Sequence, residues 1–282
     1  MLFTNSRFSK ISVSVLMVSF SLLSWKVSSA EDGYWAFNKL PVTPNYLTAS
    51  SDASKIIMAG VNGYLYASAD SGATWVQKTF DASRNWSSIT SDASGTKIFA
   101  TVNGGYIYAS TDSGNTWMQK TTDVTRAWRS ITASADGTKL AAIVSYGYIY
   151  TSMDGGSTWT QKTSDARRSW SSIASDASGS KIFATVSGGY IYASTDSGNT
   201  WMQKTTDATR AWRSITASAD GTKVAAIVDG GYVYTSTDGG STWMSETSAG
   251  SRAWNSIKYS PDGRSIVVTS ISNSIYASTN SS

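Results

Sequence analysis

Ser110-Thr111-Asp112-Ser113-Gly114-Asn115-Thr116-Trp117 decides the fold, because its pattern, S-x-D-x-G-x-T-W, returns at one spacing along most of the chain. The pattern also stands at Ser68-Asp70-Gly72-Thr74-Trp75, Ser152-Asp154-Gly156-Thr158-Trp159, Ser194-Asp196-Gly198-Thr200-Trp201 and Ser236-Asp238-Gly240-Thr242-Trp243. Its tryptophans are 42 residues apart, and a strict period of this size specifies a repeat architecture. A second series keeps the period: Trp86, Trp128, Trp170, Trp212 and Trp254, each two residues after Arg84, Arg126, Arg168, Arg210 or Arg252. Residues 87–128 and 171–212 differ only at Thr90/Ala174, Thr96/Ser180, Asn103/Ser187 and Val124/Ala208, so a two-unit segment has been duplicated.

One unit, taken from Ser87 to Trp128, reads outward from the pattern as four short strands: Ser87 to Thr90, Lys97 to Val102, Tyr106 to Ser110, and Trp117 to Thr121. They are separated by Asp92-Ala93-Ser94-Gly95, Asn103-Gly104-Gly105 and Asp112-Ser113-Gly114, clusters in which Gly or Asn takes positive φ and Asp bonds its own backbone. No stretch between them has the length or the period of a helix. Four strands in ~42 residues are the signature of a propeller blade, so the spacing predicts an all-β, six-bladed β-propeller of four-stranded antiparallel blades. The last unit stops at Asn280 before its fourth strand, and Tyr34-Trp35-Ala36-Phe37-Asn38-Lys39-Leu40 matches a fourth strand with no three before it. Pairing of the N- and C-terminal strands is therefore expected to close the ring and remove open edges.

Residues 1–30 have the layout of a cleaved secretory signal: Arg7 and Lys10, an apolar run from Ile11 to Trp25, then Ser28-Ser29-Ala30. The run is shorter than the ~20 residues a membrane span needs. Residues 31–282 are then a single domain of 252 residues, six times the period. Cleavage would remove Arg7, Lys10 and Lys26 from 23 basic residues and nothing from 19 acidic ones, leaving 20 against 19. Such a balance offers no footprint for nucleic acid. The chain has neither Cys nor His, which excludes disulfides, thiol catalysis and the commonest metal ligands, so neither metal nor cofactor is expected. The expectation is a secreted or periplasmic monomer.

The repeated pattern resembles the Asp-box, or BNR, repeat of sialidases, sortilin-like receptors and photosystem II assembly-factor propellers. The resemblance covers nearly all of residues 31–282 and implies that Asp70, Trp75, Asp112, Trp117, Asp154, Trp159, Asp196, Trp201, Asp238 and Trp243 staple turns, which speaks to fold rather than activity. Each box has one carboxylate where calcium takes six to eight oxygen ligands.

Candidate binding residues are expected on the opposite face, where each crossing brings an Arg and a Trp of the second series toward the channel mouth. There they would stand beside a Tyr of a nearby hairpin: Tyr64, Tyr106, Tyr148, Tyr190 or Tyr232. Two readings stay open. Each Trp can wedge between blades with its Arg stacked on it, or the stations can bind sugars, with Asp81, Asp123, Asp165 or Asp207 orienting the Arg forks. The resemblance also raises sialidase-like hydrolysis, which needs a Tyr nucleophile paired with a Glu and an Asp acid/base. The mature chain has only Glu31 and Glu246, and the Arg-Ile-Pro segment is absent. The sequence therefore reads as a non-catalytic, lectin-like binding propeller whose Arg/Trp/Tyr stations take a glycan. The alternative is a scaffold or assembly factor for an exported protein partner, recognised through non-repeated residues. Departures from the repeat are few: Tyr146, Arg167, Asp229 and Glu246.

Overall fold

The computed structural model describes residues 40–79, 81–163, 166–260, 263–272 and 274–279. Their regular structure is strand throughout, apart from a 3-10 turn at Thr247–Ala249. The first unit is β1 (Pro44–Ala49), β2 (Ile56–Gly60), β3 (Leu65–Ser68) and β4 (Val76–Gln77), and the second is β5 (Trp86–Ser91), β6 (Ile98–Gly105), β7 (Ile107–Ser110) and β8 (Met118–Gln119). The third is β9 (Arg126–Ala133), β10 (Leu140–Gly147), β11 (Ile149–Ser152) and β12 (Thr160–Gln161), and the fourth is β13 (Arg168–Ser175), β14 (Ile182–Gly189), β15 (Ile191–Ser194) and β16 (Met202–Gln203). Then follow β17 (Arg210–Ala217), β18 (Val224–Gly231), β19 (Val233–Ser236) and β20 (Met244–Glu246), and finally β21 (Arg252–Tyr259), β22 (Ser265–Ser270) and β23 (Ile275–Thr279). Within a unit each strand pairs antiparallel with the next. Among the described residues no strand pairing joins the last unit to the first. The expected closing strand, Tyr34 to Leu40, falls at residues 34–39 outside the described residues.

The structure corrects the expected break at Asn103-Gly104-Gly105. β6 runs through Gly105, because backbone groups left over at its end pair with the next unit: Asn103 lies opposite Ala127 and Gly105 opposite Arg126. The same fork recurs from β10 to β13, β14 to β17 and β18 to β21. For the same reason Arg126 and Trp128 belong to strand β9 rather than to a crossing loop. At the other end of the strands a second set of backbone bonds links successive units. Ser51 N–H donates to Ala93 O, Ala93 to Ala135, Ala135 to Ala177 and Ala177 to Ala219, at 2.7–2.8 Å.

The core lies between the units rather than within them. Trp128, at 1% exposure, sits with Ile131, Leu140 and Ala142 of its own unit against Phe99, Ile107 and Ala109 of the unit before. Trp86, Trp170, Trp212 and Trp254 occupy the equivalent places. Burying such a ring removes roughly 150–250 Å² of apolar surface from water, so these five rings dominate the contact between neighbouring sheets. Two kinds of interface alternate. Phe99 faces Leu140 and Phe183 faces Val224, whereas Ala141 meets Ile182 and Ala225 meets Ile266. In the interfaces without Phe the indole N–H donates to a glycine carbonyl of the previous unit: Trp86 to Gly63, Trp170 to Gly147 and Trp254 to Gly231, at 2.9–3.2 Å. Trp128 and Trp212, in the Phe interfaces, have no such partner.

Each S-x-D-x-G-x-T-W stretch closes on itself between the third and fourth strands. The Asp112 carboxylate accepts from the Thr116 hydroxyl at 2.6 Å, the Thr116 N–H at 2.8 Å and the Ser110 hydroxyl at 2.8 Å. Gly114 N–H donates to the Ser110 hydroxyl, and the Trp117 indole donates to Gly114 O at 3.0 Å. Gly114 itself sits at φ +86°, a conformation other residues avoid. The Thr116 hydroxyl foremost, then its N–H, holds the Asp112 carboxyl at about 2 rather than 3.8. Asp70, Asp154 and Asp196 are likewise at about 2. A carboxyl whose pKa is depressed by folding contributes stability that is complete above its unfolded value and lost as the pH falls through its folded value. The melting temperature is therefore expected to fall between about pH 4 and pH 2 in a titration followed by circular dichroism. Replacing Asp112 and Asp196 by Asn should shrink that fall, and an unchanged acid limb would show that the boxes do not set it.

Candidate functional site

From the second unit to the last, the first strand carries a β-bulge immediately after its tryptophan. In the third unit Val144 faces Trp128 and Ile143 faces Ser130, so Arg129 has no partner across the ladder. The equivalent shifts fall at Ser87, Ser171, Arg213 and Asn255. A bulge kinks its strand and re-aims the extra side chain. Ser87, Arg129, Ser171 and Arg213 accordingly line a cavity of about 400 Å³ together with the strand-end residues Asn103, Ser145, Ser187 and Asp229. Tyr46 enters the lining from the first unit and Tyr146 from the third.

The Arg/Trp stations expected at this mouth are built differently. Trp86, Trp128, Trp170 and Trp212 stand in the lining of the cavity as expected, but none of Arg84, Arg126, Arg168, Arg210 and Arg252 does. Each guanidinium lies instead over a third-strand tyrosine, at 4.8–5.0 Å from Tyr108, Tyr150, Tyr192, Tyr234 or Tyr276, and at 5.6–6.0 Å from its own tryptophan ring. The aromatic neighbours are thus two residues later than the expected Tyr106, Tyr148, Tyr190 and Tyr232. The reason is where the strand begins: β7 starts at Ile107, so Tyr106 belongs to the hairpin, whereas Tyr108 lies within the strand and its ring meets the Trp86 indole edge-on at 5.6 Å. Tyr106, Tyr148 and Tyr190 are half-buried at the hairpins, and Tyr232 is exposed. Tyr148 instead lies beneath Arg167 at 5.7 Å.

The carboxylates beside these arginines are engaged as well. Arg84 forks onto Asp81, Arg126 onto Asp123 and Arg210 onto Asp207. The guanidinium holds the Asp81 and Asp207 carboxyls at about 2. Asp165 is outside the described residues. With the rings of Trp86, Trp128, Trp170, Trp212 and Trp254 all at 4% exposure or less, the stations present no open aromatic face. Glu246 lies away from the cavity and accepts from the Thr235 hydroxyl at 2.6 Å.

What distinguishes the cavity is its departure from symmetry. Tyr146 stands at φ +53° where the equivalent hairpins have Gly104, Gly188 and Gly230 at +67° to +72°. A side chain at Gly104 would meet no atom within 4 Å, so bulk is tolerated and the strain is confined to the backbone. At 74% exposure the Tyr146 ring recovers little of that strain by burial. Asp229 is a second departure, 3.5 Å from Arg213, whose guanidinium also donates to Asn255 Oδ1 at 3.0 Å. Tyr146 and Asp229 were visible in the sequence as breaks in the repeat. Arg129 and Arg213 were not singled out there, although the alternation of Trp-Ser-Ser with Trp-Arg-Ser at residues 86, 128, 170 and 212 carries them.

A family model described as Photosynthesis system II assembly factor YCF48 matches residues 27–188. The structure is similar to that of YCF48 from Cyanidioschyzon merolae, with a TM-score of 0.68 at 17% identity over 88% of this chain and 85% of that one. It is similar to YCF48 bound to D1 peptide, with a TM-score of 0.66 at 19% identity over 85% of this chain and 79% of that one. A GH74 xyloglucanase from Xanthomonas campestris shares the fold with a TM-score of 0.64 at 14% identity, over 81% of this chain and 43% of the enzyme. A sequence comparison with curated proteins gives no match. At these identities the structural likeness is one of fold, a β-propeller built of BNR-type repeats.

Replacing Tyr146 by Gly removes a left-handed residue with a Cβ and should stabilise the protein by roughly 1 kcal/mol. Denaturant unfolding measures it, and a destabilised variant would show that the ring is held by contacts.

Proposed function

The chain belongs to the Photosynthesis system II assembly factor YCF48 family, and from that premise we propose that it is an exported, non-catalytic binding protein that holds a peptide segment of a protein partner at the cavity. The observation that carries this reading is the asymmetry of the cavity. Rings, carboxylates and guanidinium groups of the repeated stations engage one another, whereas the cavity lining holds two departures from the repeat, Tyr146 and Asp229, beside the arginines Arg129 and Arg213 that recur two units apart. Recognition of one partner needs a unique patch, and an aromatic residue beside an arginine is the composition that dominates protein interfaces. One of the similar structures is of YCF48 bound to D1 peptide, which supports a peptide as the ligand class. A cavity of about 400 Å³ admits a few side chains and not a folded domain.

A glycan at repeated stations would need exposed ring faces, and the five tryptophans are buried. Hydrolysis has no support among the described residues of the cavity, where Asp229 is engaged with Arg213 and no Glu stands in the lining. For the architecture we infer six blades closed by the termini, with the segment from Tyr34 to Leu40 completing the three-stranded sheet β21 to β23.

Two measurements test these inferences. Calorimetric titration with peptides selected from an array of exported-protein sequences should give one site per chain, weakened about tenfold or more by Tyr146→Gly, since an interface aromatic anchor carries 2 kcal/mol or more. Several equal sites, or indifference to the substitution, would return the search to the stations. Deleting residues 31–41 should lower the melting temperature by several degrees if they close the ring; an unchanged value would refute the closure.

A further inference from the structure

We propose that Arg129 is the open copy of a duplicated anion station and takes a carboxylate of an acidic peptide, in the way that Asp229 occupies Arg213 from within the chain. The inference rests on the peptide-binding reading above and names the chemistry of its site. The two arginines are equivalent positions, 84 residues apart, each the bulged residue after a buried tryptophan, and both line the cavity. Their surroundings differ at three places. Where Arg213 has Asp229 across the cavity wall, Arg129 has Ser145; where Arg213 donates to Asn255, the equivalent residue is Ser171; and where the hairpin has Gly230, it has Tyr146.

Ser171 does not replace the lost acceptor: no hydrogen bond joins it to Arg129, and its hydroxyl is turned instead to the Thr185 hydroxyl at 2.8 Å and Thr185 O at 3.2 Å. No hydrogen bond or ion pair reaches Arg129 from the described residues, while Arg84, Arg126, Arg210 and Arg213 each have a carboxylate within reach. A guanidinium presents a fixed fork of donors that matches a carboxylate. Its copy shows that the same backbone positions such a group in front of a carboxylate oxygen. The Tyr146 ring, held at the rim by a strained backbone, offers an apolar face for the ligand residue next to the acidic one.

Reciprocal substitution tests the inference in the full exported chain. The probe is a peptide library with one central position fixed as Glu or as Gln. A charge-assisted hydrogen bond of about 1.5–3 kcal/mol should make the Glu set bind about tenfold or more tighter than the Gln set. Ser145→Asp supplies the internal carboxylate and should abolish that preference without lowering the melting temperature, since the pair it creates already exists at Arg213. Asp229→Ser should do the opposite and open a second site per chain. Arg129→Ala, which introduces no new group, should remove the preference as Ser145→Asp does. Peptides that bind without regard to charge, or a Glu preference that survives Ser145→Asp and Arg129→Ala, would overturn the inference and leave peptide binding standing. Binding of trigalacturonate with no peptide bound would overturn both.

Discussion

A tryptophan ring wedged between neighbouring sheets sets the terms for the remainder of this molecule. Trp86, Trp128, Trp170, Trp212 and Trp254 each enter a first strand at the point where the backbone must serve two sheets at once. The ladder with its own second strand accommodates the ring by bulging at the next residue, and the preceding unit's second strand bends over to pair on the other side. From that local compromise come both the spacing of the units and the direction of the bulged side chains. Arg129 and Arg213 reach the cavity because the bulge takes them out of the ladder.

The same wedge explains why the most regular polar residues are poor candidates for recognition. An arginine two positions before a buried indole lies over its edge and over the adjoining tyrosine, and a carboxylate three positions earlier completes the arrangement. Such groups are mutually satisfied, which suits a surface layer that seals the core beneath it. The cavity wall has small hydroxyls at Ser87, Ser145, Ser171 and Ser187, against which an aromatic ring and a bare guanidinium stand out.

Much of the architecture was legible in the chain because a period of 42 residues and five boxed tryptophans leave few folds to choose from. Strand ends were legible only where turn chemistry coincides with the end of pairing. Asn103-Gly104-Gly105 looks like a turn, but its polar backbone groups are claimed by Ala127 and Arg126 of the next unit, a contact no local pattern announces. The tyrosine partners lie two residues beyond the expected ones for a related cause: Tyr106 stands before the first paired residue of its strand and Tyr108 within it, a boundary the local sequence does not mark. Breaks in the repeat at Tyr146 and Asp229 could be read directly. The significance of Arg129 could not, because it depends on what its counterpart 84 residues later touches.

The alternation of Phe and Ala faces between units bears on how such a chain avoids folding wrongly. Near-identical modules invite mispairing, because any sheet edge or face resembles its neighbour's and an early collapse can join units out of order. Here Phe99 and Phe183 fit against Leu140 and Val224, whereas the intervening faces present Ala141 and Ala225 to Ile182 and Ile266. A slip of one module would set a phenyl ring where the cavity was shaped for a methyl group, and overpacking of that kind is destabilising by about 1–3 kcal/mol at each contact. Only slips of two modules escape the clash. The two-unit copying that enlarged the chain therefore also supplied it with a check on its own assembly.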